Sequence, residues 1–253
     1  MVQRYLAEAR THDREWVTDA KPLRQPVTVK SASWRLFLAG RDLHPEVRSG
    51  ADLALDLIAG SGDLVDRALL TTMSAEVGSS PERSAACWFA VMCWGAGPQN
   101  RSRLRQWARA MPAPGFVRAL DERYLRYRSG DLVGAYRWSL MPGVGEAYAT
   151  KWLWVLGLAD PAEGVVPHVL DARVWAVLRR LRWQPTGGNR PERWVNYCQV
   201  LDSWAHELGT RRPDWHLDGD RLEQLMFDRR TGGQTFHSWL ASAPLPESGG
   251  GRL

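Results

Sequence analysis

Residues 131–181 read DLVGAYRWSL (131–140), MPGVG (141–145), EAYATKWLWVLGL (146–158), ADPAEGVVPHVL (159–170) and DARVWAVLRRL (171–181). Apolar residues recur at helical spacing on both sides of the Met-Pro-Gly-Val-Gly turn, so the stretch predicts two helices closed into a tight hairpin. Gly143 and Gly145, with Val144 between them, let the backbone come close to an anion. The second helix opens there with amide groups that lack partners inside the helix, and such a helix start suits a phosphate. A Gly-rich corner between helices also serves plain packing. Two residues downstream favour chemistry. Asp171 stands where the next helix should be capped, after the apolar approach VVPHVL. Lys151 lies on the second hairpin helix, twenty residues earlier.

Outward from this stretch the pattern stays helical. From Ser31 onward the apolar spacing predicts helices over residues 31–42, 49–60, 62–78, 80–97, 100–111, 113–130, 131–140, 146–158, 171–183, 190–209 and 219–230. Ser80-Pro81-Glu82 has the form of an N-cap followed by proline in the first turn. Gly or Pro marks nearly every junction. The best strand candidate, QPVTVKSAS (25–33), is too short to demand one. No repeat period is visible. The fold class is therefore all-α. Residues 1–30 read as a short helix and an extended arm, and the tail at 244–253, within APLPESGGGRL, as disordered.

Composition narrows the function classes. The 253 residues, 44% hydrophobic, suffice for one large domain or two lobes around a core. No apolar run approaches a membrane span, and MVQRYLAEARTHDREW lacks the apolar centre of a signal peptide, so a soluble cytoplasmic protein is expected. Cys87, Cys93 and Cys198 are too few and too scattered for a disulfide framework, and the six histidines form no ligand pair, so no metal is expected. A net charge of +5 permits a polyanionic partner. The 14 tryptophans suit stacking on bases, although an α-helical core uses the same residue. Of the 33 basic residues only Lys21, Lys30 and Lys151 are lysine. Where arginine carries nearly all the charge, a lysine deep in the chain is a candidate for what a guanidinium cannot do, namely deprotonate and attack carbon.

The residues around the hairpin resemble the helix-hairpin-helix DNA glycosylase superfamily, whose pattern is (L/M)PGVG, a helix, a loop and an aspartate opening a helix. The resemblance is strong over about fifty residues and is nearest to the bacterial 8-oxoguanine DNA glycosylase (OGG)-fold branch, through Thr150-Lys151-Trp152 and Val169-Leu170-Asp171-Ala172-Arg173-Val174. It implies a two-lobed fold. Residues 75–165 would form a central lobe carrying the hairpin, and residues 31–74 with 166–243 the second lobe. It also implies a partner, DNA, held by backbone contacts, with a modified base flipped out and cut from its sugar by a monomeric enzyme. Asp171 and Lys151 would be the catalytic pair: a carboxylate stabilises the oxocarbenium-like state, and the nucleophile is water or the lysine amine. Use of the amine would add β-lyase activity.

Two departures from the family pattern stand out. Bifunctional relatives keep their lysine two residues after the second hairpin glycine, where this chain has Ala147; Lys151 follows one turn later on the same helix face. The four cysteines that hold an iron–sulfur cluster in some relatives are absent, so no cofactor is expected. Gln99, Asn100 and Arg101, on the turn CWGAGPQNRSR, are the candidate wedge for the hole left in the base stack. Trp94, Trp152 and Trp204 are candidate walls of the base pocket. RSRLRQWAR and RRLRW offer arginines for phosphates, or a solvated helix face. The resemblance points to an 8-oxoguanine-like lesion. A hypermodified phage base, such as glucosylated hydroxymethylcytosine, competes with it, because branch members occur among phage-defence genes. A non-catalytic helix-hairpin-helix DNA-binding module is the alternative; it would need neither Asp171 nor Lys151.

Overall fold

The computed structural model describes residues 25–97, 111, 115–137, 144–160, 164–180, 183–211, 213 and 216–227. The chain divides into two compact units, one of residues 23–169 and one of residues 1–22 with 170–253. The first contains α1 (Ser31–Ala39), α2 (Pro45–Gly60), α3 (Arg67–Ser74), α4 (Pro81–Ala96), α5 (Phe116–Arg128), α6 (Leu132–Tyr136) and α7 (Glu146–Ala159). The second contains α8 (Ala172–Arg180), α9 (Arg190–Arg211) and α10 (Gly219–Phe227). The all-α class read from the sequence is the class observed. The expected arm before residue 25, the helix at 100–111 and the tail at 244–253 lie outside the described residues.

The division differs from the expected lobes, because residues 31–74 pack with the central segment. The cause is α2. It buries Ala51, Ala54, Leu55 and Ile58, and at Gly50 it lies so close to α4 that a Cβ there would stand 2.6 Å from the Ala85 Cβ and 2.8 Å from the Glu82 carbonyl. The helix also starts earlier than predicted, at Pro45, where proline fits the first turn.

A small ribbon corrects two further expectations. Val27–Thr28 (β1) pairs antiparallel with Leu64–Val65 (β2), so residues 27–28 are not a free arm, and the helix predicted over 62–78 begins only at Arg67. Gly62 and Asp63 turn the chain out of α2 with φ of 76° and 60°. Asp63 holds that left-handed conformation through its partners: its carbonyl accepts from the Val29 amide at 2.7 Å and its carboxylate from the Ser31 hydroxyl at 2.5 Å. Asp66 then caps α3, accepting from the Leu69 amide at 3.0 Å.

In α4, capped by Ser80, every residue from Ser84 to Cys93 is buried. Burial pushes the thiols of Cys87 and Cys93 up, far from the thiolate form. In α7 the run from Tyr148 to Leu156 is likewise buried throughout. A helix covered on every face is internal, and α7 packs against α3, α4, α5 and α6.

In the second unit α10 packs on both α8 and α9. Its core is made of Val174, Val177 and Leu178 with Trp194, Tyr197, Cys198, Leu201, Leu222 and Met226. A reciprocal cap opens α9: the Asn189 side chain accepts from the Glu192 amide at 3.0 Å and donates to the Glu192 carboxylate at 2.7 Å. Among the described residues no helix is long and apolar enough to cross a membrane.

Candidate active site

The first helix of the predicted hairpin is α6, and two charged groups fix it. Asp131 accepts from the Gly134 amide at 2.8 Å and meets the Arg126 guanidinium at 2.8 Å; the amide first, then Arg126, hold its carboxyl below the usual range. Gly134 leaves room for this pair, since a Cβ would fall 2.0 Å from the Asp131 carboxylate and 2.6 Å from the Arg126 guanidinium and would displace them. Arg123 reaches the other end of α6. Only 5% exposed, it donates to the Ala119 carbonyl at 3.0 Å and to the Arg137 carbonyl, where α6 ends. Burial lowers its guanidinium to about 10, against the opposing pull of Glu122. The Tyr136 hydroxyl donates to the Glu146 carboxylate at 2.6 Å, tying α6 to the first turn of α7.

Gly145 caps α7 without any side-chain hydrogen bond. Its φ of −85° and ψ of 172° are open to every residue, and a Cβ there would meet nothing within 4 Å. The fold itself leaves room for a side chain at 145. Val144 is buried, which anchors the turn beside the exposed glycine. Gly143 and the proposed wedge of Gln99, Asn100 and Arg101 lie outside the described residues.

Lys151 is buried in the middle of α7. Its stem runs along Gly95 of α4: a Cβ at 95 would lie 3.1 Å from the lysine Cδ, 3.4 Å from Cε and 2.8 Å from Tyr148 Cε1. The amine stands 5.9 Å from the centre of the Trp94 ring. Trp94, half-buried, stacks on Trp154 at 5.0 Å with 15° between the planes, and its Nε1 donates to the Gln25 carbonyl at 3.0 Å. The structure thus brings Lys151 and Trp94 together. Trp152 is different. It is completely enclosed, edge-on to Trp88 at 5.6 Å, which makes it core rather than a pocket wall.

Asp171 and Trp204 belong to the second unit. Asp171 heads α8 as expected: its Oδ1 accepts from the Arg173 amide at 2.8 Å and the Val174 amide at 3.1 Å, and its carbonyl accepts from Trp175 at 2.9 Å. The side chain is half-buried. Nearby, burial and then the charge of Glu223 hold the Tyr197 phenol well above its ordinary range, with smaller effects from Cys198, Asp171 and Asp220. Trp204 packs edge-on against Trp183 at 5.3 Å. Among the described residues no group of three or more His, Cys, Asp or Glu could hold a metal ion.

Arg123, Tyr136, Arg67 and Gln25 were not singled out by sequence reasoning. For Arg123 a signal existed. Phe116, Leu120, Arg123 and Tyr127 share one helical face, and an arginine on an apolar stripe marks a buried cation. The Arg67 and Gln25 contacts join distant segments and leave no local trace.

A family model described as "Putative 8-oxoguanine DNA glycosylase OGG-like protein" matches residues 20–227. The chain belongs to this family. Comparisons with curated proteins and with solved structures gave no match. Family membership spans all ten described helices and places the chain among DNA-glycosylase-like proteins, in the branch to which the hairpin and the Asp171 segment pointed.

Proposed function

We propose that this OGG-like protein is a DNA glycosylase that extrudes a modified base from the duplex and cleaves its bond to the sugar. The observation that carries the proposal is Asp171, a half-buried carboxylate fixed by two backbone amides at the head of α8, in a chain of this family. As the C1′–N bond breaks, its electron pair leaves with the base and positive charge develops on the sugar. A carboxylate with a fixed position stabilises that charge without reorganising. Asp171 then either takes a proton from the water that attacks C1′ or leaves the attack to the Lys151 amine.

Gly143, Val144 and Gly145 hold a phosphate at the start of α7, and Gln99, Asn100 and Arg101 fill the gap in the base stack. The substrate is an 8-oxoguanine-like lesion, the class in the family's description, with a hypermodified phage base such as glucosylated hydroxymethylcytosine as the competitor. Incubating the protein with duplexes carrying each base, and assaying free base, decides between them. Release of no base from any of these duplexes, together with tight binding to all of them, would make the protein a DNA-binding module. Borohydride tests the lysine: a wild-type crosslink that is lost in Lys151→Arg assigns the amine, since arginine keeps the charge but forms no imine.

A further inference from the structure

The groups around Lys151 carry more than a buried amine requires. Four segments converge there: the residues before β1 through Gln25, α3 through Arg67, α4 through Trp94 and Gly95, and α7 through Lys151 and Trp154. The two indoles stack at 5.0 Å. Arg67 places its guanidinium carbon 4.7 Å from the centre of the Trp154 ring, and Lys151 its amine 5.9 Å from the centre of the Trp94 ring. A pair of indoles is thus flanked by two cations, and each is attracted to the electron-rich ring face. The Trp94 ring cannot turn freely, because its Nε1–H is committed to the Gln25 carbonyl at 3.0 Å. The Arg67 Nε also donates to the Gln25 side chain, at 3.3 Å. Gly95 completes the seat, since the Tyr148 ring and, beside it, the lysine stem take the space a side chain at 95 would need.

We infer that Trp94 is a positioning residue for Lys151: the Trp94–Trp154 stack, pinned by Gln25, fixes where the lysine amine can reach. This rests on the reading of Lys151 as the nucleophile, and it gives Trp94 a role other than stacking on the flipped base. The two roles separate on DNA that has no base to stack. At an abasic site the amine adds to the C1′ aldehyde of the ring-opened sugar and loses water to give an imine. Borohydride then delivers hydride to that carbon and leaves a stable secondary amine.

The experiment compares wild type, Trp94→Leu and Trp94→Phe on a duplex with a single abasic site, with Lys151→Arg as the blank for Lys21, Lys30 and the N-terminus. At saturating DNA, Trp94→Leu should trap about tenfold more slowly, and Trp94→Phe, which keeps an aromatic face, should recover most of the loss. A second measurement needs no activity. The chain has three lysines, so protein labelled with ¹³C at lysine Cε gives at most three lysine signals. The Lys151 signal, assigned by its absence in Lys151→Arg, should be displaced by the indole ring current and return to an ordinary position in Trp94→Leu. A Lys151 signal without displacement, or one that keeps it in Trp94→Leu, overturns the inference. So does a Trp94→Leu protein that traps as fast as a wild type that crosslinks. If the wild type itself fails to crosslink, the reading of Lys151 as nucleophile falls, and the inference with it.

Discussion

Asparagine at position 171 would separate two duties of one side chain. It can still accept the Arg173 and Val174 amides through its carbonyl oxygen, and aspartate and asparagine cap helices about equally, so stability should change by less than about 1 kcal/mol. The negative charge is gone, however. Base release by Asp171→Asn should fall by at least about 10²–10³-fold, the scale on which a fixed electrostatic group acts, while DNA binding stays near wild type. Single-turnover base release beside a thermal melt checks both halves, and near-normal turnover removes Asp171 from the chemistry. The position was legible because a cap residue after an apolar approach is a local pattern. Its surroundings were not, since Tyr197, whose phenol feels the Asp171 charge, comes from α9. Lys151 stood out as the one lysine deep in an arginine-rich chain and by its place on the second hairpin helix. Its seat against Gly95 and Trp94 could not be read, because a glycine in a helix does not announce which side chain fills its place.

At the scale of elements, the start of α7 offers a test with little structural cost. Gly145 has ordinary φ and ψ and open space around its Cβ position, so Gly145→Val should cost about 1 kcal/mol, the penalty for an apolar residue in place of glycine at an N-cap, and leave the fold intact. A phosphate approaching that amide would meet the new methyls. Duplex binding should therefore weaken equally for all sequences, measured by titration of several unrelated duplexes; an effect confined to one sequence would speak against a backbone contact. The preceding helix makes a pH prediction. Asp131 in the folded chain lies below its reference value of 3.8 because of the Gly134 amide and Arg126. Its contribution to α6 is complete above that value and is lost as the pH falls through the lower, folded one. Acid unfolding of Asp131→Asn should lack this component, and a curve superimposing on wild type would show that the cap adds nothing. Helix positions were legible from periodicity, and errors fell where chemistry overrode it. Asp63 and Gly62 break a run that would otherwise continue as helix, and Pro45 extends α2 backward by a full turn.

For the whole molecule, the all-α class followed from apolar spacing, but the grouping of helices did not. Nothing in residues 45–60 states that Gly50 fits against Ala85; that match exists only once both helices are formed. Family topology suggested one partition and the packing of α2 on α4 gives another. The buried thiols turn this partition into something measurable. Cys87 and Cys93 lie in α4 of one unit, and Cys198 lies in α9 of the other, all enclosed. A thiol with no path to solvent reacts with an alkylating reagent only when its surroundings open. In the regime where reclosing outruns reaction, the labelling rate divided by that of an exposed thiol is the opening equilibrium itself. The unmodified chain thus carries a clock in each unit. If the units open together, the three cysteines should be alkylated at one common rate, resolved by mass spectrometry of the peptides. If Cys198 runs ahead of the α4 pair, the unit bearing Asp171 breathes while the unit bearing Lys151 stays shut.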